Sequence, residues 1–226
     1  MAEKELRVIL FGATGMIGSG VLQACLEDPG VAKVLVIGRS ACGIQHPKLR
    51  ELLHKDFYDF SAVQSELAGY NSCLFTLGVT SLGLDEAQYT RITYDLTLAA
   101  AEAVLKADPG MSFCYVSGQS TDSTEKGKVM WARVKGRIEN KLLSLPFQPA
   151  VMFRPGGIIP MQGVKSKTAW YAAFYAVATP LMRLLMPVFP GAITSSERLG
   201  RAMLKAARGE APQPVLEPLQ INQLGS

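Results

Sequence analysis

Histidine is almost missing from this chain of 226 residues: only His46 and His54 occur, and neither has cysteines or paired carboxylates beside it at ligand spacing. A zinc-type site draws three or four such ligands together, so no metal is expected. Cysteine is sparse as well. Cys25, Cys42, Cys73 and Cys114 are spaced too irregularly for a disulfide framework or a zinc site, and they read as reduced cytosolic thiols. The segment from Met1 to Arg7 is charged and lacks the apolar stretch of a secretory leader, so the expectation is a cytoplasmic protein. The formal charge is only +4, with no Lys/Arg block interleaved with aromatics, which argues against a nucleic-acid partner. No apolar run reaches the roughly 20 residues of a membrane span. The most apolar stretch, Ala169 to Met182, is interrupted by Pro180 and followed by Arg183 and Pro187, so no transmembrane span is expected.

With 48% hydrophobic and 19% charged residues, the composition excludes disorder and coiled-coil or collagen architectures. A chain of this length suits a single α/β domain. Its apolar runs alternate with helical periodicity. Leu6 to Phe11 reads as a strand that stops at Gly12, Ile17 to Leu26 as a helix, and Val34 to Ile37 as a second buried strand. Ser72 to Leu77 (strand), Tyr89 to Lys106 (helix), Met111 to Ser117 (strand), Met130 to Leu143 (helix) and Ala150 to Phe153 (strand) continue the alternation. Repeated βα units imply a parallel sheet. The fold class is therefore α/β, a Rossmann-type doubly wound parallel sheet, with a small C-terminal helical substrate lobe. The single domain, residues 1–226, divides into a cofactor-binding core over about 1–157 and a substrate-side lobe over about 158–226. In that lobe Ala169 to Met186 reads as an aromatic helix, serving as a lid, an oligomer contact or a peripheral membrane contact. A last helix starts near Ser195 or Ser196, with Ser196 as its cap, and ends near Gly209.

The turn Gly12-Ala13-Thr14-Gly15-Met16-Ile17-Gly18 carries the chemistry. It follows the first strand and opens a helix. Glycines stand where the turn is tight, where a pyrophosphate approaches backbone amides, and where helix and strand pack closely. This context separates a dinucleotide loop from a turn that merely packs a helix on a sheet. At the end of the second strand the chain reads Gly38-Arg39-Ser40. An acidic residue there holds the ribose 2′-hydroxyl of NAD, whereas an arginine suits the 2′-phosphate of NADP, so Arg39 and Ser40 favour NADP(H) over NAD(H). The alternative for Arg39 is a solvated charge. Asp56 and Phe57 fall where a strand would end beside the adenine edge, and Leu77 and Gly78 would line the adenosine side; each also has a plain reading as a turn.

With the glycine loop, the segments Leu77-Gly78-Val79-Thr80, Val116-Ser117-Gly118-Gln119-Ser120, Val134-Lys135-Gly136, Phe153-Arg154-Pro155-Gly156 and Val215-Leu216-Glu217 carry a resemblance. The sequence resembles the atypical short-chain dehydrogenase/reductase superfamily almost end to end, most closely the Tat-interacting-protein-like oxidoreductases and bacterial NAD-dependent epimerase/dehydratase-like relatives. The resemblance implies a proton-transfer site made of a Ser after the fifth strand and a Tyr-x-x-x-Lys on the next helix. Ser117 and Lys135 match two of these positions, and Trp131 stands at the Tyr position. It also implies that Pro155 and Gly156 approach the nicotinamide carboxamide through backbone groups. Indole has no acidity comparable to a phenol, so binding is retained while the chemistry needs another donor. Tyr115, two residues before Ser117 on the same strand face, is either a substitute donor or a core aromatic.

Two functions follow. One is an NADP(H)-dependent oxidoreductase or epimerase-like enzyme on a small carbonyl or hydroxyl substrate, hydrophobic by the apolar character of the lobe. The other is an NADP(H)-occupied regulator without turnover, like the NmrA-like redox sensors. The expected assembly is a monomer or homodimer.

Overall fold

Strands buried on both faces need continuous apolar runs, and those runs became the sheet. In chain order the strands are β1 (Leu6–Phe11), β2 (Val31–Gly38), β3 (Leu49–Leu53), β4 (Ser72–Phe75), β5 (Ser112–Val116), β6 (Ala150–Phe153), β7 (Gly157–Ile159), β8 (Ile193–Ser195) and β9 (Val215–Leu216). The helices are α1 (Met16–Glu27), α2 (Glu86–Thr90), α3 (Leu96–Ala107), α4 (Met130–Ser144), α5 (Ser196–Ala207) and α6 (Pro218–Leu224); a π-helical turn, Arg91–Asp95, joins α2 to α3. The computed structural model describes residues 4–160, Phe189 and residues 191–226.

Seven strands form one sheet in the order β3-β2-β1-β4-β5-β6-β9, and every pairing is parallel. The expected α/β doubly wound architecture is therefore present. Alternate residues face opposite sides: Val8 and Leu10 point into a core under α1, α5 and α6, while Ile9 and Phe11 join the core under α3 and α4. A parallel sheet sends all its carboxyl ends to one edge, and the strand order reverses between β1 and β4. Ligands of open α/β sheets bind at such a crevice.

The later part of the chain departs from the expected division. Residues from Ser196 onward belong to the main layers: α5 lies against α1, and Val215–Leu216 pairs with β6 as the seventh strand. The α1–α5 approach is close because Gly20 and Gly200 stand at the crossing, where an added Cβ would overlap Ser196 and Ala24 respectively. The cap of α5 is Ser195, whose hydroxyl accepts from the Arg198 amide at 3.1 Å, rather than Ser196, which is buried against α1. The aromatic helix expected over 169–186 lies outside the described residues. Among the described residues no helix is long and apolar enough to cross a membrane.

Candidate active site at the β1/β4 crevice

The glycine turn sits at the carboxyl end of β1, beside the end of β4. Gly12 has φ +88°, and a Cβ there would stand 2.7 Å from Thr76 Oγ1 and 2.9 Å from the Leu77 amide nitrogen. A left-handed backbone with so little room requires glycine. The Thr76 hydroxyl donates to the Phe11 carbonyl at 2.7 Å, fixing β4 to β1 just where the crevice opens. Gly18 is held as tightly, since a Cβ on it would overlap the Gly12 carbonyl.

Gly15 caps α1 without any side-chain bond, and no acidic residue occupies the first turn. The first amides of a helix have no intrahelical partner and carry the positive end of its dipole. Those of Met16, Ile17 and Gly18 thus face the exposed turn of Thr14 and Gly15. By contrast, α2 and α5 are closed by Asp85 and Ser195 with acidic first turns.

Arg39 and Ser40 are exposed immediately after β2 on the same edge. Asp56 is exposed in the turn after β3, one of its oxygens accepting from the Tyr58 amide at 2.9 Å. The Phe57 ring is packed against Phe11 and Phe60, so only its backbone is free to face a ligand. Leu77 is half-buried and Gly78 is open, with nothing within 4 Å of a Cβ built there. Pro155 is buried. Gly156 is needed for a reason internal to the protein: a Cβ would overlap the Ala192 carbonyl, and Gln119 Oε1 would lie 2.8 Å away.

The constellation expected to transfer a proton is only partly open. Ser117 is 7% exposed, and its hydroxyl donates to Glu139 Oε1 and lies 3.1 Å from the Phe153 carbonyl. It is tied into the core. Glu139 is in turn gripped by Arg154, whose Nε lies 3.1 Å from both carboxylate oxygens, and Arg154 Nη1 reaches Glu217 at 3.4 Å. Sequence reasoning missed this network. Its signal was present: Glu139 is one helical turn beyond Lys135, and Arg154 and Glu217 lie inside segments that carried the resemblance.

Lys135 donates from Nζ to the Ser117 carbonyl. Burial pushes its ammonium down to about 8, partly opposed by Glu139. Trp131, half-buried, stands one turn earlier on the same helix. Tyr115 is 1% exposed, and its ring lies 5.9 Å from that of Phe75. Burial first, then Tyr89 and Glu139, drive its phenol far above the usual range. Its open alternatives thus resolve as a core aromatic. His54 lies after β3, with Nε2 2.8 Å from the Asp59 carbonyl, and His46 lies just before β3, bonded through Nδ1 to the Lys48 amide at 3.2 Å. Among the described residues no group of three or more His, Cys, Asp or Glu side chains converges on a metal position.

Comparison with known proteins agrees with this arrangement at the level of fold. Over 225 residues the chain is 30% identical to the protein named fmp52, mitochondrial, of Aspergillus fumigatus, covering 95% of this chain and 93% of that one. The chain belongs to the Fmp52 family. A further Fmp52 protein, from Emericella nidulans, is 29% identical over 216 residues, covering 91% of this chain and 90% of its own. No protein-family model matches the chain. Among solved structures, a short chain dehydrogenase family protein of Francisella tularensis superposes with a TM-score of 0.67 at 12% identity, covering 94% of this chain and 96% of that one. The Bordetella bronchiseptica enzyme WbmF, in complex with NAD+, gives 0.65 at 14%, covering 97% and 77%. The Rossmann fold of this Fmp52-family chain is thus that of the short-chain dehydrogenases. The relatives are named mitochondrial, which overturns the cytoplasmic expectation. That expectation leaned on reduced thiols, and four free cysteines suit any reducing compartment equally.

Proposed function

We propose that this protein is an NADP(H)-dependent oxidoreductase acting on a small carbonyl or hydroxyl substrate. The observation that carries the reading is the pairing of an uncapped α1 N-terminus, behind a turn with no room for a Cβ at Gly12 or Gly18, with exposed Arg39 and Ser40 at the end of the adjacent strand. The residues present fit a dinucleotide. The amides of Met16, Ile17 and Gly18, at the turn of Thr14 and Gly15, would receive the pyrophosphate, and Arg39 with Ser40 the 2′-phosphate. Asp56 and the Phe57 backbone would border the adenine, and Leu77 and Gly78 the adenosine. Lys135 would hold the nicotinamide ribose, with Pro155 and Gly156 near the carboxamide. When bound, the nicotinamide supplies hydride chemistry, and the protein supplies orientation and the partner proton. The complex of WbmF with NAD+ supports a nicotinamide dinucleotide in this fold. The names of the Fmp52 relatives point to mitochondria as the setting.

A regulator that binds NADP(H) without turnover is favoured by one observation: Trp131 stands where the resemblance places a tyrosine, and the Ser117 hydroxyl is bonded into the core. A carbonyl-reduction screen with NADPH separates the two readings. The oxidoreductase reading expects measurable reduction by the unaltered chain and an increase in Trp131→Tyr. Silence in both proteins, with NADPH bound, leaves the regulator.

A further inference from the structure

Hydride delivery to a carbonyl carbon requires a proton for the oxygen, so the donor has to be sought at the carboxyl end of β5. Trp131 carries no proton of suitable acidity. Tyr115 is enclosed in the aromatic core with its phenol driven well above the usual range. The Ser117 hydroxyl proton is committed to Glu139 and the Phe153 carbonyl. The two histidines lie at the two ends of β3, with three strands between it and β5 in the sheet.

Lys135 differs from all of these. An ammonium has three N–H bonds, and among the described residues only one is taken, by the Ser117 carbonyl. The nearest acid on its own helix, Glu139, has both oxygens occupied by Arg154 and Ser117, so among the described residues Lys135 has no carboxylate in an ion pair. Building a Cβ on Gly118 brings it 4.0 Å from Nζ, which puts the amine at the mouth of the loop after β5.

Resting on the oxidoreductase reading, we infer that Lys135 itself is the group that exchanges a proton with the substrate oxygen, in place of the missing phenol. In reduction the carbonyl carbon gains a hydride from the dihydronicotinamide, and the C=O π pair moves onto oxygen. An N–H bond of the ammonium breaks as the O–H bond forms. The products are the alcohol, the oxidised nicotinamide and a neutral amine, which takes a proton from water.

Charged and titratable groups on the elements packed around α4 are Glu86 and Tyr89 of α2, Arg91, Tyr94 and Asp95 of the π-helical turn, Glu102 and Lys106 of α3, Tyr115 of β5, Asp122 of the following loop and Arg154 just after β6. Glu86 is paired with Arg133, and Tyr94 lies under Arg137. Glu139 is the one whose charge bears on Lys135, while burial sets its titration near 8. The donor must be protonated, so kcat/KM for reduction holds below that pH and falls about tenfold per unit above it. Alcohol oxidation rises through the same range.

The test has two arms. Competitive acetylation of the nucleotide-free chain across pH, read by mass spectrometry on the Lys135 peptide, gives the amine's titration without any turnover. Steady-state reduction of para-nitrobenzaldehyde at saturating NADPH gives the rate profile. Expected are a labelling midpoint near 8, a rate limb at the same pH, and a loss of about a hundredfold or more in kcat for Lys135→Met. Lys135→Arg keeps the charge but cannot release a proton, so it shows the same loss even where the methionine variant folds poorly. Trp131→Tyr in the Lys135→Arg background restores part of the rate by supplying a phenol. A midpoint at the ordinary lysine value of about 10.4 overturns the inference, as does a folded Lys135 variant with unaltered kcat. An unaltered chain that binds NADPH and reduces nothing overturns the oxidoreductase reading as well.

Discussion

Arg154 and Glu139 form a closed buried pair: the guanidinium Nε bonds both carboxylate oxygens at 3.1 Å, and Nη2 of the same group bonds Oε2. Through it the end of β6, the middle of α4, the Ser117 hydroxyl and the Glu217 cap of α6 become one polar unit.

Removing one partner leaves the other charge uncompensated. Arg154→Met is expected to lose about 3–5 kcal/mol of stability, read as a lower denaturation midpoint in urea. The double variant Glu139→Gln/Arg154→Met loses less than that single variant because no lone charge remains. Equal or greater loss in the double variant would show that packing, not charge, dominates here.

Gly12→Ala puts a Cβ at φ +88° against Thr76 and the Leu77 amide. A cost of about 2 kcal/mol or more is expected, with loss of NADPH binding that exceeds the loss of stability. Calorimetric titration at a temperature where the variant is fully folded separates the two effects.

Tyr115→Phe is expected to leave any carbonyl reduction unaltered, because the phenol lies in the core. A tenfold fall in kcat with an unchanged melting temperature would restore Tyr115 as a donor.

The Asp28 and Arg208 side chains meet at 2.8 Å. Burial alone would raise the Asp28 carboxyl, but the Arg208 bond and the Gly30 amide outweigh it and the net shift is downward. A depressed carboxylate stabilises above its unfolded value of about 3.9, and that contribution is lost as pH falls through the folded value. Arg208→Met should flatten the acid limb of stability; an unchanged acid limb would show that the pair contributes nothing there.

Most strands were legible because a parallel sheet buried on both faces leaves uninterrupted apolar runs, as in Ser112–Val116. β3, β7, β8 and β9 were not. Leu49–Leu53 is half-exposed at the sheet edge, Gly157–Ile159 and Ile193–Ser195 are three residues long and Val215–Leu216 two, so none leaves a periodic signal. The glycine turn could be read because a positive φ and a close helix approach both demand glycine. The state of Ser117 could not be read, since a hydroxyl after a strand has the same local sequence whether it faces a substrate or a buried carboxylate. The close approach of Ala192 to Gly156 left no local signal either, since it joins residues far apart in the chain.

The central claim, an NADP(H) site framed by Gly12 to Gly18 and Arg39, is tested most directly by titrating the nucleotide-stripped protein with NADPH and with NADH in a calorimeter. Tighter binding of NADPH is expected, with Arg39→Asp weakening NADPH by about tenfold or more, roughly 1.4 kcal/mol, and sparing NADH. Equal affinities unaffected by Arg39→Asp would contradict the 2′-phosphate assignment, and no binding of either nucleotide would contradict the site itself.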